Sequence, residues 1–216
     1  MRCLFQTQTR SLAQTPSTDF QKKQIKEGKL HGIEVINTGD YSEEALQIAL
    51  DYNLTIMGTS DVHDLIDWDY IEKGVHRPIT LVFAKEKSVE SLKEALFAGR
   101  TVAIFNDLWV GKEAYLLPLL KASITTSDIH YIENTQVLSV TLHNNSSSNL
   151  LFENAMPYTL YHHAPVFEIP AQGSITLQIK TLANLSEIQL TLKALKAYSA
   201  PKSPTQVFWN ISILPK

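Results

Sequence analysis

The residues best equipped for chemistry are Asp61 and His63, in the stretch Gly58-Thr59-Ser60-Asp61-Val62-His63-Asp64. In extended backbone, positions two apart project to the same side, so a carboxylate oxygen and an imidazole nitrogen can meet at one metal ion. A hard and a borderline donor together suit zinc, manganese or iron. A bare Asp-x-His is a weak signal, because a turn-capping Asp beside a surface His gives the same letters. Placement adds weight. The stretch follows Leu54-Thr55-Ile56-Met57, which reads as a buried strand, and loops at the carboxyl ends of parallel strands carry ligand-binding groups.

Other candidates surround this pair with less support. Glu34 is expected to face away from Val35, either into a barrel interior or as an ion-paired strand acid. Asn37, at the end of the same strand, can contact substrate or a metal-bound water, or simply form a turn. Arg77, behind His76, can fork onto a phosphate. Trp68 and Tyr70, among Asp64, Asp67 and Asp69, read as a lid or an acidic surface loop. His31 sits at the wrong end of its strand for the site. His162-His163 lacks acidic neighbours, and Ser60 lacks the Gly-x-Ser-x-Gly frame of a nucleophile elbow.

The elements that must position these groups alternate strand and helix in the first half. Ile33 to Asn37 is a short β-branched strand, ended by Thr38-Gly39-Asp40. Ser42 is placed to cap a helix with Glu43 and Glu44 at its positive end and Ala45, Leu46, Ala49 and Leu50 as its buried stripe; Asn53 stops it. The pattern then repeats: a strand from Ile79 to Ala84, a helix capped by Ser88 with Val89, Leu92, Ala95 and Leu96 inward, Gly99 as stop, and a strand from Thr101 to Phe105. All four strands, at Ile33, Leu54, Ile79 and Thr101, are expected to be parallel. A last helix is expected from Gly111 to Lys121. Ser17 to Lys29 reads as a polar helix.

Taken in order, Gly32-Ile33-Glu34-Val35-Ile36-Asn37, a helix, Gly58 to His63, and His76-Arg77-Pro78-Ile79-Thr80-Leu81-Val82-Phe83-Ala84 resemble the closing part of a polymerase and histidinol phosphatase (PHP) domain. The similarity runs from about Leu30 to Leu120. It implies a distorted barrel of strands and helices whose His and acidic residues hold divalent metals and hydrolyse phosphate mono- or diesters. Asp61 and His63 match that family's last metal motif. The tail from Ser123 is similar in character to the β-domain that follows the barrel in phosphodiesterase-like members. The family's early His-x-His has no counterpart ahead of Ile33. The resemblance therefore implies a truncated form of such an enzyme, with incompletely coordinated metal and negligible hydrolysis of its own. The alternative is a non-catalytic remnant in which the α/β segment supports a β-sandwich binding module.

Composition agrees with a division of the chain. Of the 41 charged residues, 30 lie in residues 1–120, and beyond them the apolar period changes from helical to alternating. Leu138, Val140 and Leu142, then Ile175, Leu177 and Ile179, then Ile188, Leu190 and Leu192 each point one face to a core. Asn144 to Asn149 reads as a hairpin loop. The expected organisation is an N-terminal tail and polar helix over 1–29, a partial, distorted β/α barrel of the PHP type over 30–121, and an antiparallel β-sandwich over 122–216.

A net charge of -3 without a basic block gives no case for nucleic acid or anionic membranes. Cys3, the single cysteine, excludes an internal disulfide. No apolar run is long enough for a membrane helix. The opening residues lack a signal-peptide core, so the expectation is a cytoplasmic chain as written, or a secreted or periplasmic one if a signal precedes Met1. The expected partner is a small phosphate ester, with self-association through an open sheet edge.

Overall fold

A computed structural model describes residues 3–4, 19–70 and 76–213. The chain forms two compact units, one comprising Met1–Leu116 and Tyr198–Ser203, the other Leu117–Ala197 and Pro204–Lys216.

The first unit contains β1 (Cys3–Leu4), α1 (Asp19–Lys26), β2 (Gly32–Asn37), β3 (Asp40–Tyr41), α2 (Glu43–Asp51), β4 (Thr55–Thr59), α3 (Ile66–Asp69), β5 (Ile79–Val82), α4 (Val89–Phe97), β6 (Thr101–Phe105) and β7 (Leu108–Gly111). Ser42 caps α2, its hydroxyl accepting from the Ala45 N–H at 3.1 Å. Asn53, at φ 53°, turns the chain out of the helix in the left-handed conformation that Asn tolerates. Ala45, Leu46 and Ala49 then pack on Ile33, Val35 and Ile36 of β2, on Leu54 just before β4 and on Ile56 within it. β1, β2 and β4 are parallel, and β3 folds back antiparallel on β2 through the two-residue turn Thr38-Gly39.

The expected partial β/α barrel is not what forms. Among the described residues, parallel pairing is confined to β1 with β2 and β2 with β4; β5 pairs antiparallel with β6, and β6 antiparallel with β7. The reason lies at the ends of α4. Phe83 N–H donates to the Arg100 carbonyl, the Arg100 guanidinium donates back to the Phe83 carbonyl and pairs with Glu94, and Gly99 at φ 67° supplies the reversal. The helix is thus inserted into a hairpin connection instead of crossing the sheet. Asn106, at φ 51°, makes the next reversal, so Leu108–Gly111 becomes a strand that the sequence reading missed. Of the expected α4 stripe only Ala95 is buried, while Val89 and Leu92 are exposed.

β4 meets β5 and β6 through threonine hydroxyls. Thr80 Oγ1 bonds to both the N–H and the carbonyl of Gly58, and Thr101 Oγ1 donates to the Ile56 carbonyl at 2.6 Å. A Cβ at Gly58 would lie 3.1 Å from the Ile79 carbonyl oxygen, so glycine permits this approach.

The chain continues through α5 (Glu113–Ser123) into the second unit: β8 (Ile124–Tyr131), β9 (Val137–Asn144), β10 (Leu150–Asn154), β11 (Thr159–Leu160), β12 (Val166–Ile169), β13 (Ser174–Lys180), β14 (Glu187–Ala200) and β15 (Ser203–Ser212). One sheet runs β11-β13-β9-β8; in the other, β10 lies between β12 and β14, and β15 pairs with β14. Leu138, Val140, Leu142, Leu177, Ile179, Leu190 and Leu192 are fully buried, as their alternation predicts, whereas Ile175 is only half-buried. Asn144 to Asn149 is not a hairpin, because β9 and β10 belong to different sheets. The buried Asn144 amide donates to the carbonyls of Ser148, Ile169 and Pro170 at 2.8 to 3.1 Å, tying this crossing loop to the chain beyond β12.

Candidate functional site

β2 and β4 end side by side, with Asn37 opposite Thr59 in register, and the candidate residues follow directly. His63 Nε2 lies 3.6 Å from Asp61 Oδ1, with the two side chains 89% and 42% exposed. The sequence argument assumed extended backbone, but Asp61 has φ 51°. A left-handed turn brings the two donors together instead. The pair sits in open loop next to the solvent, where its interaction as an ion pair is weak.

Beneath it lies a buried carboxylate. Glu34 is 7% exposed; its Oε1 accepts from Thr59 Oγ1 and its Oε2 from Asn37 Nδ2, both at 2.8 Å. Neither expectation for Glu34 holds, since it has no ion pair with any described residue and it does not face a barrel interior. The strand is buried from Gly32 to Ile36, so burial does not alternate along it, and the bulge at Val35 brings Asn37, three residues on, to the side of Glu34. Asn37 Oδ1 in turn accepts from Thr38 Oγ1 at 2.7 Å, and the Thr38 N–H donates to the Thr59 carbonyl at 3.1 Å. The Asn37 carboxamide is thereby engaged within the protein.

Tyr70 corrects the lid reading from the other side. Its ring is buried, and its hydroxyl lies 3.5 Å from the carbonyl oxygens of Thr38 and Ser60. Burial, followed by the charge of Asp69, pushes its phenol above the usual tyrosine range. Trp68 on α3 is exposed, as are Asp64, Asp67 and Asp69.

The remaining candidates make no hydrogen bond or ion pair with Asp61 or His63. His31 packs edge-on against Phe97, with ring centroids 4.8 Å apart, at the amino end of β2. His76 is exposed, its Nδ1 2.9 Å from the Arg77 carbonyl. Arg77 is exposed and its side chain makes no hydrogen bond or ion pair with a described residue. In the second unit, the Tyr161 ring lies tilted against that of His162 and under the Lys180 ammonium. Phe167 and Trp209 pack on Phe152; Phe167 is buried in the core and Trp209 half-buried. Among the described residues no cluster of three or more His, Cys, Asp or Glu is placed to hold a metal, and no helix is long and apolar enough to cross a membrane. Asp61 and His63 are suitable donors in kind, but fewer than the four that a zinc site takes.

A family model described as an Ig-like domain matches residues 124–210, in agreement with the antiparallel sheets of the second unit. No curated protein matches the chain. A solved two-domain protein from Bacteroides vulgatus, described as containing a predicted PHP-like metal-dependent phosphoesterase, is similar at 31% identity with a TM-score of 0.81. The alignment covers 93% of this chain and 57% of the Bacteroides protein, so the chain spans little more than half of that protein's length.

Proposed function

We propose that the chain takes part in metal-dependent hydrolysis of phosphate esters, with Asp61 and His63 donating to a divalent cation, zinc, manganese or iron. The observation that carries this reading is the 3.6 Å approach of His63 Nε2 to Asp61 Oδ1 in the loop leaving β4. The likeness to a protein with a predicted PHP-like phosphoesterase supports it. A bound divalent ion would act as a Lewis acid and lower the pKa of its water. The chain's own part is to present one carboxylate and one imidazole from a turn anchored to two parallel strands. Further donors must complete the coordination, and two donors alone hold an ion loosely. With the Asn37 amide engaged by Glu34 and Thr38, the exposed Arg77, which makes no hydrogen bond or ion pair with a described residue, is the group proposed to meet a phosphate oxygen of a small phosphate ester.

Manganese titration of the intact chain, followed by electron paramagnetic resonance, tests this directly. Binding is expected in the wild type and its loss in both Asp61→Ala and His63→Ala. Equal manganese uptake by all three proteins would end the proposal.

A further inference from the structure

We infer that Glu34 is a positioning residue for the Asp61–His63 turn, which rests on reading that pair as metal donors. The carboxylate is buried inside the first unit and touches neither donor, yet it spans both strands that lead into the turn. One oxygen holds the Thr59 hydroxyl, two residues before Asp61; the other holds the Asn37 amide, across the ladder. Asn37 passes the constraint to Thr38, whose N–H closes on the Thr59 carbonyl. The network is a closed set of polar contacts around the two strand ends, each acceptor matched to a donor. A buried acid without a cationic partner is costly to keep unless its hydrogen bonds are complete. The bulge at Val35 sets Asn37, three residues on, opposite Thr59 and on the same side as Glu34, and bulges serve to re-aim a side chain beside a site. Asp61 occupies a left-handed conformation unfavourable for most residues. Anchoring Thr59 fixes where that turn starts.

The contacts make the idea testable. Glu34→Met keeps the length of the side chain and removes both acceptors, so the Thr59 hydroxyl and the Asn37 amide lose the group that ties them together. Glu34→Gln can keep both contacts: its carbonyl accepts from the Asn37 amide and its own amide donates to the Thr59 hydroxyl, which rotates to accept.

The experiment measures amide hydrogen exchange of the intact chain without metal in wild type, Glu34→Met and Glu34→Gln. Second-unit amides serve as the folding control. Exchange at Thr38 and from Thr59 to His63 is expected to quicken at least fivefold in the methionine variant and to stay within twofold of wild type in the glutamine variant. Manganese affinity should fall in the first and hold in the second. Unchanged exchange in the methionine variant, or equal quickening in both, overturns the inference. Absence of manganese binding in the wild type instead defeats the metal reading, while exchange still decides whether Glu34 holds the turn.

Discussion

Thr80 Oγ1 accepts a hydrogen bond from the N–H of Gly58 and donates one to the carbonyl of the same residue, each at 2.9 Å. One hydroxyl thus occupies both polar groups that Gly58 presents toward β5. Thr101 does the same for the Ile56 carbonyl. An edge that would otherwise recruit another strand is closed by side chains.

Thr80→Val keeps the shape and removes the hydroxyl, leaving a buried N–H and carbonyl unsatisfied. Each such group costs about 1–3 kcal/mol. The variant should unfold at lower urea concentration and self-associate more strongly, read by sedimentation velocity across a concentration series. A monomer as stable as the wild type would show that the hydroxyl is dispensable.

Local signals are readable in the sequence and strand directions are not. Ser42, Asn53, Ser88 and Gly99 act where residue chemistry puts them, because capping and left-handed turns depend on immediate neighbours. Strand direction depends on where the connecting chain is fastened. The Phe83 and Arg100 contact that makes β5 and β6 antiparallel joins residues far apart in sequence, and no periodicity reports it. β7 has a visible signal, Asn106-Asp107 between two apolar runs, which is a hairpin turn. At the site, Asp61 and His63 can be picked out by type and spacing. One partner of Glu34, Thr59, stands 25 residues away, and the bulge at Val35 hides that Asn37, the other, lies on the same side as the acid.

Asn144→Ala should loosen the second unit. Its amide serves three carbonyls that bind the β9 to β10 crossing to the end of β12. Loss of a buried, multiply bonded amide costs about 2–3 kcal/mol, since the carbonyls are left without donors. Chemical denaturation monitored on second-unit resonances should show the drop, with first-unit resonances unmoved. A change below about 0.5 kcal/mol, the level of an ordinary surface substitution, would mean that water replaces the amide.

Tyr41 gives a pH dependence of defined sign. Its hydroxyl is buried without a hydrogen-bond partner among the described residues, its ring stacks on Tyr198 at 5.7 Å, and its pKa is raised, first by burial and then by Glu43 and Tyr198. The folded phenol therefore stays neutral where the unfolded one ionises. Its contribution to stability is whole below the ordinary tyrosine pKa of about 10 and is lost progressively as pH rises above it. Tyr41→Phe removes the orphaned hydroxyl and should stabilise the first unit by about 1 kcal/mol at neutral pH. It should also flatten the decline above that pKa in melting curves taken between neutral and strongly alkaline pH. An unchanged alkaline decline would assign that titration to another group, with Tyr70, also raised by burial, the first to examine.

Asp61 combines two roles that substitution can separate. At φ 51° it holds a conformation that a glycine adopts freely and that an alanine resists by about 1 kcal/mol. Its carboxylate is also the proposed metal donor beside His63. Asp61→Gly should therefore retain or slightly raise thermal stability while manganese binding falls to background. Asp61→Ala should lose both, and Asp61→Asn should keep the turn while binding manganese far more weakly. Melting curves and manganese titrations run in parallel on the three variants separate the turn from the carboxylate. Should manganese binding follow stability across the series, with the glycine variant still binding, the turn rather than the carboxylate would be what the site requires, and Asp61 would have to be withdrawn as a ligand.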